Sequence, residues 1–233
     1  MRKTTLLIFA AAALTVHAQS VVSWAYANGQ AIPVNGSSFA GVVLAPYWNN
    51  SQEAGVANLL ANDGSSSGVS LGYSDPWGAW GIGGVGSPDG DGTYNKAIFD
   101  GYGNGGSDTL SLSGISFSQY NIIVYFSSDA NGRTGTISDG ATTYDFSTMG
   151  LTATSGANAI FTQTLSTGGS NPSADYAVFS GLTGASQTLT MINTGVAGMG
   201  IAGMQIVAVP EPGTMTLAAL GGASLLLWRR RSM

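Results

Sequence analysis

The chain has 233 residues, with 35 glycines, no cysteine and only 8% charged side chains. β-Branched and aromatic residues are nonetheless plentiful, which argues for a folded, turn-rich β protein and against a disordered one. Between Gln19 and Ala208 eleven carboxylates face only Lys96 and Arg133, a net of -9. That excludes a nucleic-acid partner, because phosphate binding needs a basic face.

In chain order, the first element is an export signal. Arg2-Lys3 is followed by an apolar run over 6–14 and by Val16-His17-Ala18, a small-residue exit that signal peptidase can cut between Ala18 and Gln19. Residues 1–18 are therefore expected to form a signal helix that is removed. His17, the only histidine, leaves with it. The mature chain then has neither His nor Cys, which excludes Ser-His-Asp and Cys-His catalysis and ordinary zinc sites. An oxidising destination would permit disulfides, so stability must come from core burial or bound metal.

Residues 19–208 alternate short apolar, Thr-rich or aromatic runs with Gly, Asn, Asp and Ser clusters, the spacing of an all-β, antiparallel, jelly-roll-like sandwich. The predicted strands are 21–27, 38–44, 68–73, 109–112, 120–126, 135–138, 142–146, 160–165, 176–180, 187–191 and 201–207. Helical turns are predicted at 58–61 and 95–99. The run 120–126 is apolar almost throughout, which makes it an inner strand covered on both faces. Trp24 and Tyr125 belong to the core, with Leu110, Leu112, Ile115, Val178, Phe179 and Leu182.

Three kinds of site are candidates within this stretch. Asp89-Gly90-Asp91-Gly92 and Asp129-Ala130-Asn131-Gly132 place oxygens two residues apart beside a Gly, as calcium loops do. The same residues serve equally as solvated β-turns, and neither loop completes an EF-hand. Trp48, Trp77, Trp80 and Tyr94, with Tyr73 and Tyr102, stand in or beside Gly-rich segments where exposed rings stack on sugars. Burial is the competing role for each ring. Eleven carboxylates keep paired-acid glycoside hydrolysis formally open, but no spacing singles out an acid and a base. The expectation is no catalytic residue and no cofactor other than calcium.

Residues 209–233 close the chain with Val209-Pro210-Glu211-Pro212, an apolar stretch over 213–228 and Arg229-Arg230-Arg231. Sixteen helical residues span about 24 Å, slightly short of the hydrocarbon core, and flanking Trp and Arg make up the difference. The arginines hold that end in the cytoplasm and leave the domain on the far side of the membrane. The prolines keep the preceding segment extended and open to a processing enzyme.

This order resembles the PEP-CTERM sorting signal of exported proteins of Gram-negative, often biofilm-forming bacteria. The same tail is also labelled an ice-binding protein C-terminal domain, which says nothing about ice affinity. The resemblance implies recognition by an exosortase, a membrane-embedded cysteine protease-transpeptidase, with the tail lost near Pro210, Glu211 and Pro212. The protein would be an inner-membrane-anchored precursor and then a component of the cell surface or extracellular matrix. An uncleaved membrane anchor is the plainer alternative.

The central region resembles galactose-binding-like β-sandwich modules of planctomycete and verrucomicrobial proteins. The similarity rests on Tyr47-Trp48-Asn49-Asn50, Asn62-Asp63-Gly64, Leu112-Ser113-Gly114-Ile115 and the final run Gly200-Ile201-Ala202-Gly203-Met204-Gln205-Ile206-Val207. These readings favour a non-catalytic structural or adhesive surface protein. A carbohydrate-binding module for extracellular polysaccharide is the first alternative, and a carboxylate-dependent glycoside hydrolase is the second.

Overall fold

The computed structural model describes residues 19–26, 38–74, 88–103 and 105–210. The expected signal helix, the apolar stretch 213–228, Trp77 and Trp80 lie outside those residues. Among the described residues no helix is long and apolar enough to cross a membrane.

Strands form where apolar residues alternate or run on, and Gly-containing turns end them. In chain order they are β1 (Val21–Tyr26), β2 (Asn49–Ser51), β3 (Gly55–Val56), β4 (Ser70–Tyr73), β5 (Ser107–Ser113), β6 (Tyr120–Ser128), β7 (Thr134–Ser138), β8 (Thr143–Thr148), β9 (Ser173–Ala174), β10 (Tyr176–Leu182), β11 (Ser186–Asn193) and β12 (Met199–Ala208). Helix α1 (Asn95–Phe99) and a 3-10 turn at Gly150–Ala153 complete the described elements.

Two sheets pack as a sandwich, one ordered β10-β6-β12-β1-β2 and the other β3-β4-β5-β11-β7-β8-β9. Both are mixed, where wholly antiparallel sheets were expected. β2 joins β1 in parallel, and β9 joins β8 in parallel. These parallel partners are two- or three-residue edge strands, too short to leave a pattern in the sequence.

One core fills the space between the sheets. Period-2 alternation sends Leu110 and Leu112 of β5, Leu189 and Met191 of β11, and Val22 and Trp24 of β1 into it. The second core lies on the outer face of the five-stranded sheet. There Val21, Ala25, Ile123, Tyr125 and Val207 are covered by α1, by the segment around Ala40–Trp48 and by Ala153. β6 therefore has Val124 and Phe126 in one core and Ile123 and Tyr125 in the other, as its unbroken apolar run implied.

The predicted strand at 38–44 is instead a tight reversal, in which Ala40 and Ala45 exchange backbone hydrogen bonds of 3.2 and 3.1 Å. Gly41 at φ 101 turns the chain. The segment 160–165 pairs with β10 through no more than an isolated bridge from Gln163 to Tyr176, and Ile160 and Leu165 are exposed. No helical turn forms at 58–61: Leu59 N–H bonds Val69 O at 2.8 Å, across to the neighbouring segment. Helix α1 forms where a helical turn was expected. Val178 and Leu182 are half-buried and pack against the cores from β10.

Candidate functional site

The two processing points expected from the sequence flank a single pair of strands. β1 and β12 run antiparallel in register, Val21 opposite Val207, so the start and end of the domain are neighbours. Gln19 Nε2 donates to Ala208 O at 2.6 Å, and Ala208 N–H donates to Ser20 O at 2.9 Å. Val209 N–H bonds Gln119 O at 2.9 Å, and the next residue, Pro210, is exposed. The ladder thus ends one residue before the first proline of the tail, which has no N–H to extend it. Ala18, Glu211, Pro212, Arg229, Arg230 and Arg231 lie outside the described residues.

The aspartate loops prove to be tied turns. In the first, Asp91 Oδ1 accepts from Thr93 N–H at 2.9 Å and from Thr93 Oγ1–H at 2.7 Å, bonds that hold its carboxyl below the usual range. Asp89 is buried, its Oδ2 accepts from Ala159 N–H at 2.9 Å, and burial pushes its carboxyl up. This residue fastens α1 to the segment around Asn158, whose Oδ1 accepts from Asp91 N–H at 3.0 Å.

In the second loop Asp129 is ion-paired with Arg133 at 2.6 Å. Asn131 Nδ2 there donates to Thr152 Oγ1 at 2.7 Å. Among the described residues no group of three His, Cys, Asp or Glu side chains converges to hold a metal.

The loop aromatics divide in the same way. Trp48 is 5% exposed, donates from Nε1 to Ala45 O at 3.0 Å and lies 6.1 Å from the Tyr125 ring. Its faces are occupied by protein, as are those of Tyr73 and Tyr102, both buried. Tyr94 is half-buried against the outer core.

Two buried polar residues carry roles that spacing did not reveal. Gln205, fully buried, accepts from Tyr125 Oη–H at 2.6 Å and donates to Val43 O at 2.7 Å, tying the 41–44 turn to β12. It is the one amide within the apolar run 201–207, and that oddity was the available signal. Asp175 is 1% exposed beside the ring group Tyr125, Phe161 and Tyr176. Its Oδ1 accepts from Thr162 N–H at 2.9 Å, and burial pushes its carboxyl up to about 8. A general acid must touch its substrate, and this acid is sealed from solvent.

No curated protein sequence matches the chain. Residues 208–231 match the PEP-CTERM protein-sorting motif, beginning on the last residue of β12. The chain is accordingly an exported protein that carries a PEP-CTERM signal for exosortase-dependent sorting.

Proposed function

We propose that the sandwich is a non-catalytic structural or adhesive component, delivered by exosortase processing to the cell surface or extracellular matrix. The observation that carries this reading is the position of the sorting motif. It starts at residue 208, where the last described strand ends, so cutting at Pro210 to Pro212 leaves every described strand and core residue in place. Cutting after Ala18 likewise leaves β1 whole, beginning at Val21. The product would keep both cores of the sandwich whole.

Saccharide binding would fall to Trp77, Trp80 and the half-buried Tyr94, since Trp48 is committed to the outer core. Deleting residues 211–233 in the native cell tests the sorting reading. The shortened chain is expected to fold and appear in the periplasm or medium but not in the surface fraction. Unchanged surface retention would count against the proposal.

A further inference from the structure

Turn tips are normally polar, because Gly, Asn, Asp and Ser suit their backbone geometry. The turn Gly41-Val42-Val43-Leu44 breaks that pattern, with Val42 37% and Leu44 58% exposed. Tyr47, three residues on, and Leu60, whose N–H donates to Asn49 Oδ1 at 2.8 Å, are 39% and 40% exposed. The backbone beneath these side chains is satisfied from the protein side. Gly41 N–H donates to Asn95 Oδ1 at 2.8 Å, and Val42 N–H donates to Tyr125 Oη at 2.7 Å. Gln205 bonds Val43 on both its N–H and its carbonyl. The turn is thus rigid, with its polar groups turned inward and its apolar groups left to the outside.

Tyr47 adds a second irregularity. Its φ of 56 lies in the left-handed region, a strained choice for a bulky residue. Its ring lies over Gly64, where a Cβ would stand 3.2 Å from the ring carbons. Strain of this kind persists only where the surroundings impose it, and here the result is a half-exposed phenol at the rim of an apolar patch.

The patch lies beside the point where the chain leaves the domain. Gln205, under the turn, is three residues from Ala208, about 10 Å at the rise of a strand. On the other side, Asn62, two residues past Leu60, donates to Gln19 O at 3.1 Å, and Gln19 in turn bonds Ala208 O. The described chain ends at Pro210, and the apolar run 213–228 begins three residues later.

We infer that Val42, Leu44, Tyr47 and Leu60 form a lipid-contacting face that rests on the bilayer while the precursor is held there by its tail. The inference depends on the reading of residues 213–228 as a membrane span. An apolar tip with a tyrosine at its rim suits the boundary between acyl chains and headgroups, where amphipathic rings settle. Attraction to anionic headgroups plays no part. The exposed carboxylate near the patch is Asp63, while Lys96 bonds Gly156 O and Arg133 pairs with Asp129. Contact is therefore expected to persist in high salt.

The absence of cysteine permits a direct test in the full chain, reconstituted into phosphatidylcholine vesicles. A polarity-sensitive fluorophore is placed on Leu44→Cys or, as control, on Val196→Cys, which precedes the opposite end of β12 and is 74% exposed. Flotation with the vesicles reports the tail, and quenching by lipids labelled in the acyl chain reports the patch. The expected result is flotation of both proteins, with several-fold stronger quenching and a blue-shifted emission at position 44 only, unchanged by salt. Flotation with equal quenching at the two positions overturns the inference but leaves the span intact. Failure to float overturns both.

Discussion

Asp175 carries the clearest consequence at the scale of a single residue. Its carboxyl has an ordinary value of 3.8 and is pushed to about 8 in the fold, chiefly by burial and against the opposing bond from Thr162 N–H. Between those two pH values the folded chain keeps a proton that the unfolded chain has released. Stability is therefore highest at the acid end of the window and falls as pH rises towards 8, by at most about 1.4 kcal/mol per pH unit. Asp89, also raised by burial, acts in the same direction. Asp63 and Asp91, lowered by bonds from Ser65 and Thr93, act oppositely, but only below the ordinary carboxylate range.

Asp175→Asn keeps an acceptor for Thr162 and removes the titration. Melting temperature measured from pH 4 to 8 should decline less steeply in the variant than in the parent, and parallel profiles would refute the assignment. None of this was visible in the sequence, where Asp175 sits in Ala174-Asp175-Tyr176 like any strand-edge carboxylate. Its carboxyl is bonded by Thr162, brought across from a segment that forms no strand of its own.

Single elements show what local pattern encodes and what it does not. β6 was legible because seven successive residues with few polar atoms have nowhere to go but an inner strand, and both its faces are covered. Val124 is fully buried between the sheets, so Val124→Asp places an unpaired charge in the core and should prevent folding. Thr143→Asp, on the exposed start of β8, should shift stability by about 0.5 kcal/mol or less. Soluble yield and near-UV circular dichroism compare the two, and a folded Val124→Asp protein would contradict the placement.

The errors had physical causes as well. Residues 38–44 contain strand-forming side chains, but Gly41 turns the backbone and Gln205 and Asn95 capture the N–H groups that a ladder would use. Residues 160–165 are held by the Asp175 carboxyl and by Thr164 Oγ1–H donating to Asp145 O of β8 at 2.6 Å, side-chain bonds that no alternation pattern records. β2, β3 and β9 are shorter than a period-2 signal requires.

At the scale of the whole molecule, export and sorting were legible because they are written linearly, as charge, apolar run and proline in fixed order. The sandwich was legible from the spacing of its turns. The outer core was not, because α1, the 41–48 segment and Ala153 come from three separated parts of the chain. The structural roles of Asp129 and Trp48 were hidden for a related reason: Asp-Gly and Trp-Asn pairs are as useful for closing turns and filling cores as for binding, and here Asp129 pairs with Arg133 while Trp48 packs in the outer core.

What unites the molecule is the β1–β12 pair, which sets both expected processing points at the boundary of one domain. Mass spectrometry of the intact protein taken from its native surface tests this most directly. The account predicts a chain that begins at Gln19 and ends within residues 209–212. A surface protein that retains residues 213–233, or that has lost any part of β1 or β12, would contradict it.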